Sequence, residues 1–248
     1  MKQAFLAAFS RLWPRLYVGQ WAGNFLLMFL AAAWLQIPDS HTWQFALALL
    51  SGALLVAGFF ALYITTFRYL LPCPDRSVWW RACLWLAFFI ALWWLLDAWI
   101  SVGRAHESLY AGYWNAQSPR WLRYHLGYSA LVAWQERIYD CIEWLWAALL
   151  LPLAMDICGC NLRKGWLHRG SLVYRRWFYW LAVGLAAFGG EWLTWALADW
   201  TPEFGLIGQT TSLVARLGVA YSADMLLWCF VLALTAYYLD FDPASKTR

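Results

Sequence analysis

Charge is what this sequence has least of. Only 13% of its 248 residues are Asp, Glu, Lys or Arg, and 63% are hydrophobic, with a mean hydropathy of +0.50. A soluble domain carries roughly 25% charged residues, so this composition excludes a water-soluble globule with a charged shell. The net charge of +4 does not mark a nucleic-acid binder, because the basic residues are sorted by topology. Histidine is scarce: His41, His106, His125 and His168 fall at loops or helix edges. No pair faces across two spans, which argues against a buried bis-histidine haem. The six cysteines lie mostly in or beside apolar segments, unlike a secreted disulfide framework. Cys73, Cys83, Cys158 and Cys160 share one side of the expected topology. Their C-x9-C and C-x-C spacings match no strong metal motif, so reduced, unligated thiols are expected and no metal is assigned. Also missing are a P-loop, a dinucleotide fingerprint, a zincin motif and a G-x-S-x-G elbow, so no cofactor is named and enzymatic activity is not the favoured reading.

Long apolar runs are what the chain has. They predict an all-α fold: a polytopic integral membrane protein, a bundle of six transmembrane helices with an amphipathic interfacial N-terminal helix. Residues 1–16 form that first helix, with Phe5, Leu6, Phe9, Leu12 and Trp13 at helical spacing and Pro14 ending it. The transmembrane domain covers 17–239, with spans at about 17–37, 42–71, 79–102, 129–158, 176–200 and 212–239. Residues 240–248 form a tail. Asn24 to Ala33 has the small-residue ending of a signal-peptide core, but its apolar segment is long enough to persist as a helix. Between the first two spans, IPDSH reads as a tight turn around Pro38 and Asp39.

Orientation follows Lys and Arg. One side holds Lys2, Arg11, Arg15, Arg68, Arg76, Arg81, Arg163, Lys164, Arg169, Arg175, Arg176, Lys246 and Arg248. The other keeps Arg104, Arg120, Arg123, Arg137 and Arg216. Both termini are therefore expected in the cytoplasm, with a bacterial inner membrane as the host. Many of the 22 tryptophans, Trp34, Trp43, Trp79, Trp80, Trp99, Trp177, Trp180 and Trp200 among them, sit near span ends, as an interfacial aromatic belt requires.

One span conflicts with its own solvent. In Trp134 to Asp156 the unbroken apolar run, Trp144 to Met155, covers only about 18 Å of a bilayer core about 30 Å thick. Glu143, with Asp140 or Asp156, must then enter the hydrocarbon or its edge. Glu136, Asp140 and Glu143 lie on one helical face. An ionised side chain near a helix centre costs about 2.5–3.5 kcal/mol on the lenient insertion scale, so this stripe needs cations, protonation or water. Asp97 lies in the third span, Glu191 follows Gly189–Gly190 in the fifth, and Arg216 and Asp224 lie eight apart in the sixth. Their similar depth predicts an outward-facing pocket lined by Glu143, Glu191, Arg216 and Asp224, with Asp140 and Asp97 nearby. The alternative is structural: Arg216 and Arg137 neutralise Glu191, Glu143 or Asp224 and lock the helices together. The inner halves offer Gln20, Asn24, Ser51, Thr65 and Thr66, none ionisable. Pro152 and Pro202 offer sites for a kink or loop.

The connection from Gly103 to Tyr128 carries Tyr110, Tyr113, Trp114, Trp121, Tyr124 and Tyr128. It reads as an outer cap or lid, with an amphipathic helix over Pro119 to Leu131 that turns Trp121, Leu122 and Leu126 to the membrane. Three functions fit these residues. The pocket binds or moves a small solute, a lipid headgroup or a proton. Alternatively the chain is a non-catalytic accessory or scaffold subunit of a membrane complex, with other membrane subunits as partners besides the lipid bilayer. A third possibility is an outer-leaflet enzyme using paired carboxylates as acid and base.

Overall fold

The computed structural model describes residues 2–38, 41–71, 78–125, 127–160, 166–199 and 205–240. Asp39, Cys73, Arg76, Leu126, Arg163, Lys164, Trp200, Pro202, Glu203 and the tail with Lys246 and Arg248 lie outside the described residues. Among the described residues the chain is all-helical, with no strand. The helices are α1 (Lys2–Leu12), α2 (Arg15–Trp34), α3 (Thr42–Leu70), α4 (Trp79–Ala105), α5 (Glu107–Gln117) and α6 (Arg120–His125). They continue as α7 (Tyr128–Cys160), α8 (Trp166–Tyr174), α9 (Trp177–Gly184), α10 (Gly190–Asp199) and α11 (Leu206–Asp240). Pro14 separates α1 from α2, because its ring denies the helix a backbone donor.

Five helices are long and apolar enough to cross a membrane: α2, α3, α4, α7 and most of α11. The expected fifth span, 176–200, is built differently. From Trp177 to Asp199 the chain stays helical, but a π-helical turn at Leu185–Gly189 divides it into α9 and α10. Ala186, Ala187, Gly189 and Gly190 carry little side chain there, so widening the turn costs little packing. Where one helix was expected over Pro119 to Leu131, α6 stops at His125 and α7 starts at Tyr128. Gly127 lies between them. Helices α5 and α8 occupy stretches where no helix was expected.

Contacts divide the chain into two compact units, Met1–Trp85 with Pro152–Arg248, and Leu86–Leu151. The larger unit is centred on the C-terminal half of α11. Val231, Leu232, Ala233, Leu234, Thr235 and Ala236 are all buried, so this stretch is covered on every face. A helix apolar all round belongs in such a position. The first helix docks here. Ala8 and Leu12 are buried, the Phe5 ring lies 5.5 Å from that of Phe230, and Arg11 pairs with Asp240 at 2.7 Å. Leu6 and Phe9, with Trp13 just beyond the helix, stay exposed, which leaves α1 an apolar outer face. Helix α3 shows the opposite balance, with no buried residue before Ile64.

Three of the polar residues expected in the inner halves of the spans meet within the larger unit. Gln20 donates from Nε2 to Thr66 Oγ1, and Asn24 donates from Nδ2 to Gln20 Oε1 at 3.0 Å. The Tyr63 hydroxyl donates to Asn24 Oδ1 at 3.4 Å. Gln20 is fully buried, and a buried amide holds its place only when its hydrogen bonds are made. Ser51 and Thr65 instead return their hydroxyls to carbonyls of α3. Tyr17 and Tyr221 add cross-links, donating to the carbonyls of Ser222 and Trp21.

Candidate functional site

The smaller unit gathers charge around Arg104. This residue lies in the last turn of α4, two residues beyond the expected end of the third span. Its Nη2 donates to Asp140 Oδ1 at 2.7 Å and stands 3.1 Å from Glu143 Oε1. The second contact is an ion pair without hydrogen-bond alignment. Asp97 lies within electrostatic reach of Glu143. Two local features bring these groups together. Asp97 and Arg104 are seven apart on α4, and Glu136, Asp140 and Glu143 follow the i, i+4, i+7 face of α7. Gly103 permits the approach, since a Cβ there would meet the Tyr139 hydroxyl of α7 at 2.9 Å.

Glu107, first in α5, adds a further carboxylate. Its Oε1 is shut off from solvent and has no hydrogen-bond partner among the described residues; the same holds for Arg104 Nε. Burial pushes the Glu107 carboxyl above its ordinary value of 4.5, Glu136 pushes it further, and Arg104 opposes both. An acid whose folded-state pKa is raised favours the protonated fold. That stability is present below about pH 4.5 and is lost as pH rises through the folded-state value. Glu107→Gln is therefore expected to raise the unfolding midpoint at neutral pH and to flatten its decline above pH 4.5. Thermal unfolding of wild type and variant across pH 4–8 checks this. A variant that keeps the wild-type slope would assign the slope to another group.

Of the six residues expected to line one pocket, Asp97, Asp140 and Glu143 belong to this cluster. Glu191, Arg216 and Asp224 belong to the larger unit. Glu191 is exposed in the first turn of α10. Asp224 is half-buried, with its carboxyl against Gly190 just after the π-helical turn; a Cβ at that glycine would clash with it. Arg216 donates from Nη1 to the Leu197 carbonyl at 2.7 Å and from Nε to the Ser212 carbonyl at 3.2 Å, joining α10 to α11. Arg137, the other expected neutralising cation, is exposed. The cation on Asp140 and Glu143 is Arg104, which the sequence places in the outer connection. A signal for it was present, because Arg104 shares the α4 face of Asp97.

On the other expected side, Cys83 and Cys158 are free thiols and Cys160 is disulfide-bonded, a departure from the expected reduced set. Among the described residues no group of three or more His, Cys, Asp or Glu is placed to hold a metal ion. Comparison with protein-family models, curated proteins and solved structures finds no match to this chain.

Proposed function

We propose that this chain is a multi-pass membrane protein of a bacterial inner membrane, with six transmembrane helices and cytoplasmic termini. Helices α9 and α10 together form the fifth crossing. The charged cluster around Arg104 serves as an outward-facing site that binds or moves a small solute, a lipid headgroup or a proton. Asp97, Glu107, Glu136, Asp140 and Glu143 outnumber Arg104, and this balance favours a proton or a cationic solute. Glu191 and Asp224 lie beside the π-helical turn, and Arg216 joins α10 to α11 further along, at the Leu197 carbonyl. The observation that carries the reading is the double contact of Arg104 with Asp140 and Glu143 inside apolar helices. Charge at that position is expensive unless it is used or matched. Arg104 Nε and Glu107 Oε1, which have no hydrogen-bond partner among the described residues, supply unused hydrogen-bonding capacity.

The test is proton and cation flux, with binding, in proteoliposomes of the purified protein. Glu143→Gln is expected to reduce flux or binding at least tenfold while leaving the folded yield near that of wild type. Equal loss of fold and activity would assign the cluster a purely structural role. The accessory-subunit reading draws on the exposed apolar length of α3, and stoichiometric co-purification of other polypeptides would favour it.

A further inference from the structure

Helix α5 is inside out for a water-exposed connection. Its buried position is Ala111, and Glu107 and Asn115 lie on the same inward side, half-buried. Its outward face presents Leu109, Tyr110, Tyr113 and Trp114, each at least half exposed. These positions alternate at i and i+4, so they form one continuous face. In water the apolar face would turn inward. Two aromatic residues of α6, Trp121 and Tyr124, extend the exposed surface, at 67% and 87% exposure. The charge pattern is equally one-sided. No acidic residue occurs between Glu107 and Glu136, whereas Arg120 and Arg123 fall in that interval and are exposed. Arg123 Nε is held by the Ser118 carbonyl at 2.8 Å, and this hydrogen bond leaves its terminal nitrogens for another partner. Tyr128 ties the platform to the start of α7, donating to the Ser108 carbonyl at 3.4 Å.

We propose that α5 and α6 form a platform at headgroup depth that binds the phosphates of anionic phospholipids in the bilayer the chain crosses. Tyr and Trp carry an apolar body and a polar edge, which suits the boundary between headgroups and acyl chains. Guanidinium groups bind phosphate oxygens in bidentate geometry, and the stretch that carries Arg120 and Arg123 contains no acidic residue of its own. The proposal rests on the membrane reading above, but not on the Arg104 site. It makes the outer connection a lipid contact rather than a solvated lid.

Two measurements on the full chain in vesicles test it. The first uses phosphatidylcholine brominated near the headgroup and compares wild type with the variant Trp114→Phe, Trp121→Phe. The two tryptophans are expected to account for a quenchable share of fluorescence, so the variant loses lipid quenching but not quenching by aqueous acrylamide. Loss of acrylamide quenching alone would place this face in water and overturn the proposal. No lipid quenching of any tryptophan would overturn the membrane reading itself, a distinguishable failure. The second measures phospholipid retained after extraction from vesicles of equal phosphatidylglycerol and phosphatidylcholine. Wild type is expected to enrich phosphatidylglycerol, and Arg120→Gln with Arg123→Gln to cut that enrichment about threefold with an unchanged unfolding midpoint. Unchanged enrichment in this variant would remove the phosphate contacts from α6.

Discussion

Replacing Arg104 by glutamine is expected to destabilise the smaller unit by about 2 kcal/mol, more than the loss of any other single charge near the cluster. Exposed ion pairs contribute about 0–1 kcal/mol, and removing one partner of a buried pair costs about 3–5 kcal/mol. The side chains of Arg104, Asp140 and Glu143 are 35%, 27% and 20% exposed, so the cluster lies between these limits. One cation serves two carboxylates, so its loss leaves both without their positive neighbour. Glutamine keeps a donor but not the charge, which separates electrostatics from hydrogen bonding. Detergent-titrated or thermal unfolding measures the loss. Adding Asp140→Asn and Glu143→Gln to the Arg104 variant is expected to recover most of it, because the repulsion and desolvation of bare carboxylates are then gone. Failure to recover would mean that the Arg104 stem, rather than its charge, holds α4 to α7. Arg123→Gln, on the exposed α6 surface, is the control and should cost almost nothing.

These residues also mark what could be read from the chain directly. Apolar runs and Pro14 place α2, α3, α4, α7 and α11 to within a few residues, except that α11 begins six residues early. The stripe of Glu136, Asp140 and Glu143 was legible, because helical periodicity alone puts these residues on one face. Its cation was harder to find. Arg104 stands 36 residues before Asp140, and an unpaired loop arginine and one in the last turn of a helix look alike in sequence. Similar depth is the sequence's reason to group Glu143 with Glu191, Arg216 and Asp224; Glu143 lies in the smaller unit and the other three lie in the larger. Helix α5 is illegible in the sequence for a different reason. Gly112 and the polar residues around it dilute the apolar pattern, and the helix directs its polar face inward. The π-helical turn has no periodic signature at all. Small residues permit it, but they serve close α-helical packing equally well.

The second large effect is expected at Leu232→Ala, which should cost about 2–5 kcal/mol, while Leu50→Ala should change stability by less than about 0.5 kcal/mol. Both are leucines inside long apolar helices, and hydropathy does not distinguish them. Leu232 has no exposed surface, and its flanks Val231 and Ala233 are as closed. Leu50 is 61% exposed on α3. Removing the Leu232 side chain opens a cavity among neighbours that can relax only partly. The small Ala233 and Ala236 let other helices approach α11 closely, and a close-packed seam has little freedom to collapse. At Leu50 the removed surface faced outward, and in a bilayer an acyl chain fills the place at little cost. The contrast is measured by unfolding both variants in the same lipid vesicles. Equal losses would mean that Leu50 is covered by another polypeptide in the folded assembly, and would favour the subunit reading. A small loss at Leu232 would mean that the all-round burial of α11 is not what holds the larger unit together. If the expected contrast holds, stability resides in the C-terminal half of α11. The charged cluster of the smaller unit can then be altered for function without unfolding the rest.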